Sequence, residues 1–135
     1  MLSRKVKLIL IGLLLFAIVG CTPDVPESKD AIVSDCMNLS LQDTADCLVE
    51  NVKTFYIYNL TKDDDSTSWE RISSNGGNCE DWTYFYMDLG TRLGFEVSMA
   101  EITMYEGKSH VFAIIGDETG YCNLDQLEYK CYEYD

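Results

Sequence analysis

The sequence predicts one α+β domain, helices first and an antiparallel sheet after them. Apolar residues recur at helical spacing as far as Leu93, and from Phe95 onward the period shortens toward two. Turn chemistry at Ser73-Ser74-Asn75-Gly76-Gly77, Glu106-Gly107-Lys108 and Asp117-Glu118-Thr119-Gly120 punctuates the change. A length of 135 residues suits one small domain. With 47% hydrophobic residues and 12% aromatics, there is enough apolar surface to offset the entropy of ordering, so a packed core is expected.

Taken in order, the elements each have a local cause. Ala45, Leu48, Val49, Val52, Phe55 and Tyr56 follow the i, i+3, i+4, i+7 rule behind Ser40 and Asp43, which predicts an amphipathic helix from Ser40 to about Tyr58. An acidic, polar loop follows from Lys62 to Ser68, and the short Trp69 to Ile72 stretch leads into the Ser73 to Gly77 turn. Asn78 can cap a second helix, with Asp81 supplying the reciprocal carboxylate of a capping box. Trp82, Phe85, Tyr86, Leu89 and Leu93 line one face of that helix, and Gly94 stops it. Strands are expected over Phe95–Tyr105, Ser109–Gly116 and Tyr121–Leu127. The tail with Tyr129, Tyr132 and Tyr134 reads as packing on the domain or as a binding surface.

Ahead of the domain stands an address. Arg4, Lys5 and Lys7 form a basic patch, Leu8 to Val19 an apolar run, and Gly20-Cys21 follows, which is the layout of a secretory signal. The run is shorter than the ~20 residues that span a bilayer. Its end, Ile18-Val19-Gly20-Cys21, resembles the lipobox of prokaryotic lipoproteins, which implies cleavage after residue 20 and acylation of Cys21; an uncleaved anchor helix is the alternative. The expected division is therefore a signal over 1–20, a lipidated cysteine and tether over 21–35 with Pro23 and Pro26 in its extended part, and the domain over 36–135. Either reading places the domain outside the cytoplasmic membrane. Loss of the three basic residues takes the net charge from −13 to −16, which repels phosphate backbones, and nucleic-acid binding is not expected.

Export gives the remaining cysteines a meaning, because an oxidising compartment favours disulfides over metal sites. Cys36 and Cys47 lie eleven apart, and Cys122 and Cys131 nine apart. Local pairing within each couple is the simplest arrangement, although bridges between the two couples stay open. Cys79 is then the thiol left over. No CxxC spacing marks a zinc site.

Chemistry converges on Cys79, His110 and Asp125. Cys79 falls in the first turn of the second helix, where unpaired backbone N–H groups and the helix dipole favour a negative sulfur. His110, the one histidine of the chain, opens the apolar run Val111-Phe112-Ala113-Ile114-Ile115, and Asp125 lies one hairpin further on, where a carboxylate can fix the imidazole's tautomer. Glu80 and Asp81 oppose a thiolate, so an imidazolium partner is needed to keep Cys79 ionised. Asp117 is a local rival to Asp125 but sits in turn chemistry. A Cys–His–Asp set serves acyl transfer.

The same residues carry a family resemblance. Gly77-Asn78-Cys79-Glu80-Asp81, the apolar helix through Leu89 and Leu93, and Gly94-Phe95 resemble the signature of transglutaminase-like cysteine peptidases. Ser109-His110-Val111-Phe112 is similar to the family's His strand and Asn123-Leu124-Asp125 to its Asp strand. Trp69 and the Cys-Glu-Asp run are similar to those of the bacterial transglutaminase-like cysteine proteinases. The likeness covers Leu41 to Leu127; it departs at Asn78, where the family more often has Asp, and in the short stretch between Phe95 and His110.

The resemblance implies a papain-like, transglutaminase-like fold, in which a helix carrying the cysteine at its N-terminus packs on a small antiparallel sheet carrying His and Asp. It implies Cys79 as nucleophile, His110 as general base and then acid, and Asp125 as orienter. The Cys79 backbone N–H would form half of an oxyanion hole. The Trp69 indole N–H and an amide of the Ser73 to Asn78 turn are candidates for the other half. The expected activity is hydrolysis of a protein or peptide substrate through a thioester; the alternatives are glutamine cross-linking, or a silent binding lipoprotein of the same fold. No cofactor is expected. Calcium, which some relatives bind beside the cysteine, would fall to Glu80, Asp81, Asp88 and the Asp63 to Asp65 loop, acids that lack EF-hand spacing and read as solvated surface.

Overall fold

A computed structural model describes residues 23–60 and 68–135; the signal-like segment, Cys21 and the acidic run at 63–65 lie outside the described residues. Among these, four helices precede one sheet. They are α1 (Lys29–Asp35), α2 (Leu41–Lys53), α3 (Trp69–Asn75) and α4 (Cys79–Arg92), followed by β1 (Glu96–Thr103), β2 (Ser109–Asp117), β3 (Gly120–Asp125) and β4 (Glu128–Glu133). The strands form an antiparallel meander in the order β1-β2-β3-β4. The expected α+β class is what the chain adopts.

Side-chain caps set the helix starts. The Ser28 hydroxyl accepts from Ala31 N at 3.1 Å and the Ser40 hydroxyl from Asp43 N at 3.2 Å. At α4 the full capping box forms: Asp81 N donates to Asn78 Oδ1, and Asn78 N donates back to Asp81 Oδ2, both at 3.0 Å. Its other end is Leu93, with Gly94 beyond it at φ +86°.

Four elements differ from the sequence expectation. α2 stops at Lys53 rather than near Tyr58, because Thr54 N and Oγ1 both donate to Asn51 O and close the last turn early. The Trp69 stretch continues as helix through Asn75. Tyr121–Leu127 is not one strand: Gln126 takes φ +54° and folds the chain back into β4, so the tyrosine-bearing tail is a strand. The tether is irregular only to Ser28; α1 then buries Ile32 completely and ties Lys29 to Asp88 at 2.8 Å, so packing begins before the expected boundary at 36.

One face of the sheet carries the helices. α4 lies mainly on β2 and β1, and α2 on β3 and β4. Trp82, Phe85, Tyr86 and Leu89 of α4 meet Leu48, Val49 and Val52 of α2 above Ala113, Ile115, Cys122 and Leu124, and all of them are fully buried. At ~25 cal/mol per Å² of apolar surface, this core is the main stabilising term. Both local disulfides form. Cys36–Cys47 ties α1 to α2 (S–S 2.07 Å), and Cys122–Cys131 joins facing residues of β3 and β4 (S–S 2.03 Å). Among the described residues no helix is long and apolar enough to cross a membrane.

Candidate active site

The segment ahead of α4 is fixed by short-range contacts. Gly77 N donates to Ile57 O (3.1 Å) and Asn59 N to Gly77 O (2.9 Å), so Tyr58 and Gly77 form a parallel bridge. The same Ile57 carbonyl accepts the Trp82 indole N–H at 3.2 Å. Gly76 has φ +70° and ψ −158°, a region essentially reserved for glycine, and a Cβ there would lie 2.0 Å from Ile57 O. At Gly77 a Cβ would lie 2.4 Å from the Asp81 Cβ, so the capping carboxylate can close on the backbone only beside glycine. Asp81 is 1% exposed and committed to that cap.

This brace presents Cys79 as the first residue of α4. The residue is half-buried and carries the one free thiol among the described residues. Its backbone N–H belongs to the first turn, whose amides have no acceptor within the helix.

His110 and Asp125 meet across neighbouring strands. His110 Nε2 lies 2.9 Å from both Asp125 Oδ1 and Oδ2. Register explains the meeting. Ala113 faces Leu124 and Ile115 faces Cys122, all four buried under the helices, so the alternation of the pleat puts His110, Phe112, Asn123 and Asp125 on the other face. Pairing between β2 and β3 ends at Ala113 and Leu124, which leaves His110 and Asp125 just past the shared ladder. There the imidazole is 20% and the carboxylate 42% exposed, within reach of water. With Nε2 turned to Asp125, Nδ1 is the nitrogen left to exchange a proton with substrate or thiol.

α4 runs in the direction of β2. Gly90 near its end lies against Ile115, so the Cys79 end comes to the end of the domain where β2 begins and His110 stands. Among the described residues no hydrogen bond joins Cys79 Sγ to the imidazole; the His110 ring is bonded to Asp125. The structure thus brings two of the three expected residues into contact on the face turned away from the helices, and sets the third at the same end on the helix-bearing side.

Tyr56, read from the sequence only as part of an apolar stripe, stands among them. It lines a cavity of about 350 Å³ with His110, Asp125, Gln126, Leu127 and Glu128. Its ring lies 4.9 Å from that of Trp82, three residues beyond Cys79, and its hydroxyl bonds to Gln126 Oε1. Burial pushes the Tyr56 phenol up, and the nearby Tyr58, Asp125 and Cys79 add to the shift, so Tyr56 stays a proton donor at neutral pH. The Gln126 carbonyl accepts the Tyr86 hydroxyl, whose phenol is pushed well up, first by burial and then by Tyr56 and Asp125.

The other candidates have the following surroundings. The Trp69 ring packs edge-on against Phe55 at 5.0 Å and stacks near Phe85 at 6.5 Å, partly buried against the core. Asp117 accepts from Thr119 N at 2.8 Å and from its hydroxyl, and these bonds hold its carboxyl below the usual range in the turn assigned to it. At Asp88 burial works upward, but the hydrogen bonds and charges of Lys29 and Arg92 outweigh it and hold the carboxyl low. No group of three or more His, Cys, Asp or Glu among the described residues could hold a metal ion.

Compared with known proteins, the chain matches no family model, no curated protein sequence and no solved structure.

Proposed function

We propose that the chain is an exported, lipid-anchored cysteine hydrolase of the transglutaminase-like type, acting on a protein or peptide near the membrane surface. The observation that carries this reading is the 2.9 Å contact of His110 with Asp125, made at the end of the domain where α4 begins with a free thiol. A base oriented by a carboxylate and a cysteine in the first turn of a helix are the parts that covalent acyl transfer needs.

In this reading the Cys79 thiolate attacks the substrate carbonyl, and the oxyanion that forms is met by the Cys79 backbone N–H. The carbon–nitrogen bond then breaks as the His110 imidazolium passes its Nδ1 proton to the departing amine, leaving a thioester on Cys79. A water molecule, deprotonated by His110, attacks that thioester; the acid product leaves and the thiol is restored. Asp125 holds the Nε2–H and stabilises the imidazolium throughout.

Two disulfides fit an oxidising compartment, as export requires. The lipid would sit at Cys21, with the irregular stretch before α1 as a short spacer.

The test is turnover of quenched peptides and of glutamine–amine pairs by the full chain. Wild-type protein is expected to cleave, and Cys79→Ala to lose activity by more than 10²-fold with its fold unchanged, since general acid–base and nucleophilic steps contribute that much or more. Unchanged turnover in Cys79→Ala contradicts the reading, and amine incorporation in place of cleavage assigns the chain to cross-linking.

A further inference from the structure

The two parts of the candidate site belong to distant stretches of chain, and Tyr56 is bonded to both. On one side it immediately precedes Ile57, whose carbonyl accepts Gly77 N and the Trp82 indole, and its own ring rests on Trp82. On the other side its hydroxyl reaches Gln126, 70 residues away and next to Asp125. Gln126 holds a positive φ of 54°, a conformation that the two-residue turn between Asp125 and Glu128 requires and that its side chain and carbonyl stabilise through Tyr56 and Tyr86.

We infer that Tyr56 is a positioning residue: by holding Gln126, its hydroxyl fixes the spacing between the Cys79 helix start and the His110–Asp125 pair. The inference rests on the hydrolase reading above. Tyr56 acts through Gln126: its hydroxyl bonds to the Gln126 side chain and to neither the Cys79 sulfur nor the His110 imidazole. If the Tyr56–Gln126 bond is lost, the turn bearing Asp125 gains freedom, the imidazole loses its fixed place, and the thiolate loses a constant counter-ion against the nearby acids Glu80 and Asp81. Tyr86 cannot substitute, because it binds the Gln126 carbonyl and leaves the side-chain amide free to turn.

Tyr56→Phe keeps the ring on Trp82 and removes only the hydroxyl; Gln126→Ala breaks the same bond from the other side. Iodoacetamide alkylation of Cys79 at pH 6.5, about the ordinary histidine midpoint, is measured on the full chain with its disulfides intact. Each single variant is expected to react about tenfold more slowly than wild type, and the double variant no more slowly than either, because both remove one interaction. His110 is the chain's one histidine, so its imidazole resonances are unambiguous; the Nε2–H signal is expected to be sharp in wild type and broadened in both variants. Wild-type reactivity with unchanged rates and an unchanged imidazole signal in the variants overturns the positioning role alone. An unreactive wild-type thiol overturns the hydrolase reading and the positioning role together.

Discussion

The Cys79 end and the His110–Asp125 end of the site are held by different means. Around Cys79, nearly every constraint lies within a few residues or in one short neighbouring segment: the Asn78–Asp81 box, Gly76 and Gly77, and the Ile57 carbonyl that binds two donors. His110 and Asp125 stand past the end of the β2–β3 ladder, partly exposed, placed by strand register and by each other. A nucleophile that must use the amides of a helix start needs that start rigid, whereas a base that shuttles protons needs access to water and substrate. On the proposed hydrolase reading the two ends fail in different ways: changes at the first cost the fold, and changes at the second leave the fold and cost chemistry.

Breaking the rigid end should have the largest effect. Gly76→Ala forces a Cβ into Ile57 O at a backbone conformation that alanine does not adopt. A loss of about 3 kcal/mol or more is expected, visible as a lowered melting temperature or as failure to accumulate folded protein. A melting curve that overlays wild type would remove the distinction between the two ends.

The smallest expected effect is at the far end of the same helix. Asp88→Asn removes the carboxylate that Lys29 and Arg92 share and should cost about 1 kcal/mol at pH 7, part of it screened by solvent. Because the folded carboxyl is held low, its contribution is full above the ordinary carboxylate range and is lost as pH falls through the folded value, so the wild type–variant difference should hold from pH 7 to about pH 4 and shrink below it. Denaturant titrations across pH 3 to 7 check this, and Cys79 chemistry should be unaffected, which isolates stability from site geometry.

This contrast also governs what was legible in the sequence. α4 could be read at both ends because its cap, its carboxylate partner and Gly94 are all local. The disulfides were legible as the simplest local pairs, and His110 and Asp125 from their places on successive strands. β4 was not, because a non-glycine residue in a left-handed conformation makes its turn and the sequence carries no turn signal there. α1 was missed because seven residues with one buried side chain show no period; its place depends on Lys29 reaching Asp88, 59 residues on. Tyr56 shows the same limit, since an aromatic on an apolar stripe reads as core and only the fold supplies Gln126 as its partner.

The most direct test of the central claim, that His110 and Cys79 act as one unit, is the rate of Cys79 labelling by iodoacetamide without reductant in wild-type protein and in His110→Ala. The expected result is a single adduct at Cys79 that forms at least tenfold faster in wild type at near-neutral pH, since an adjacent imidazolium stabilises the thiolate. Equal rates in the two proteins, or a Cys79 inert to the reagent, would contradict it.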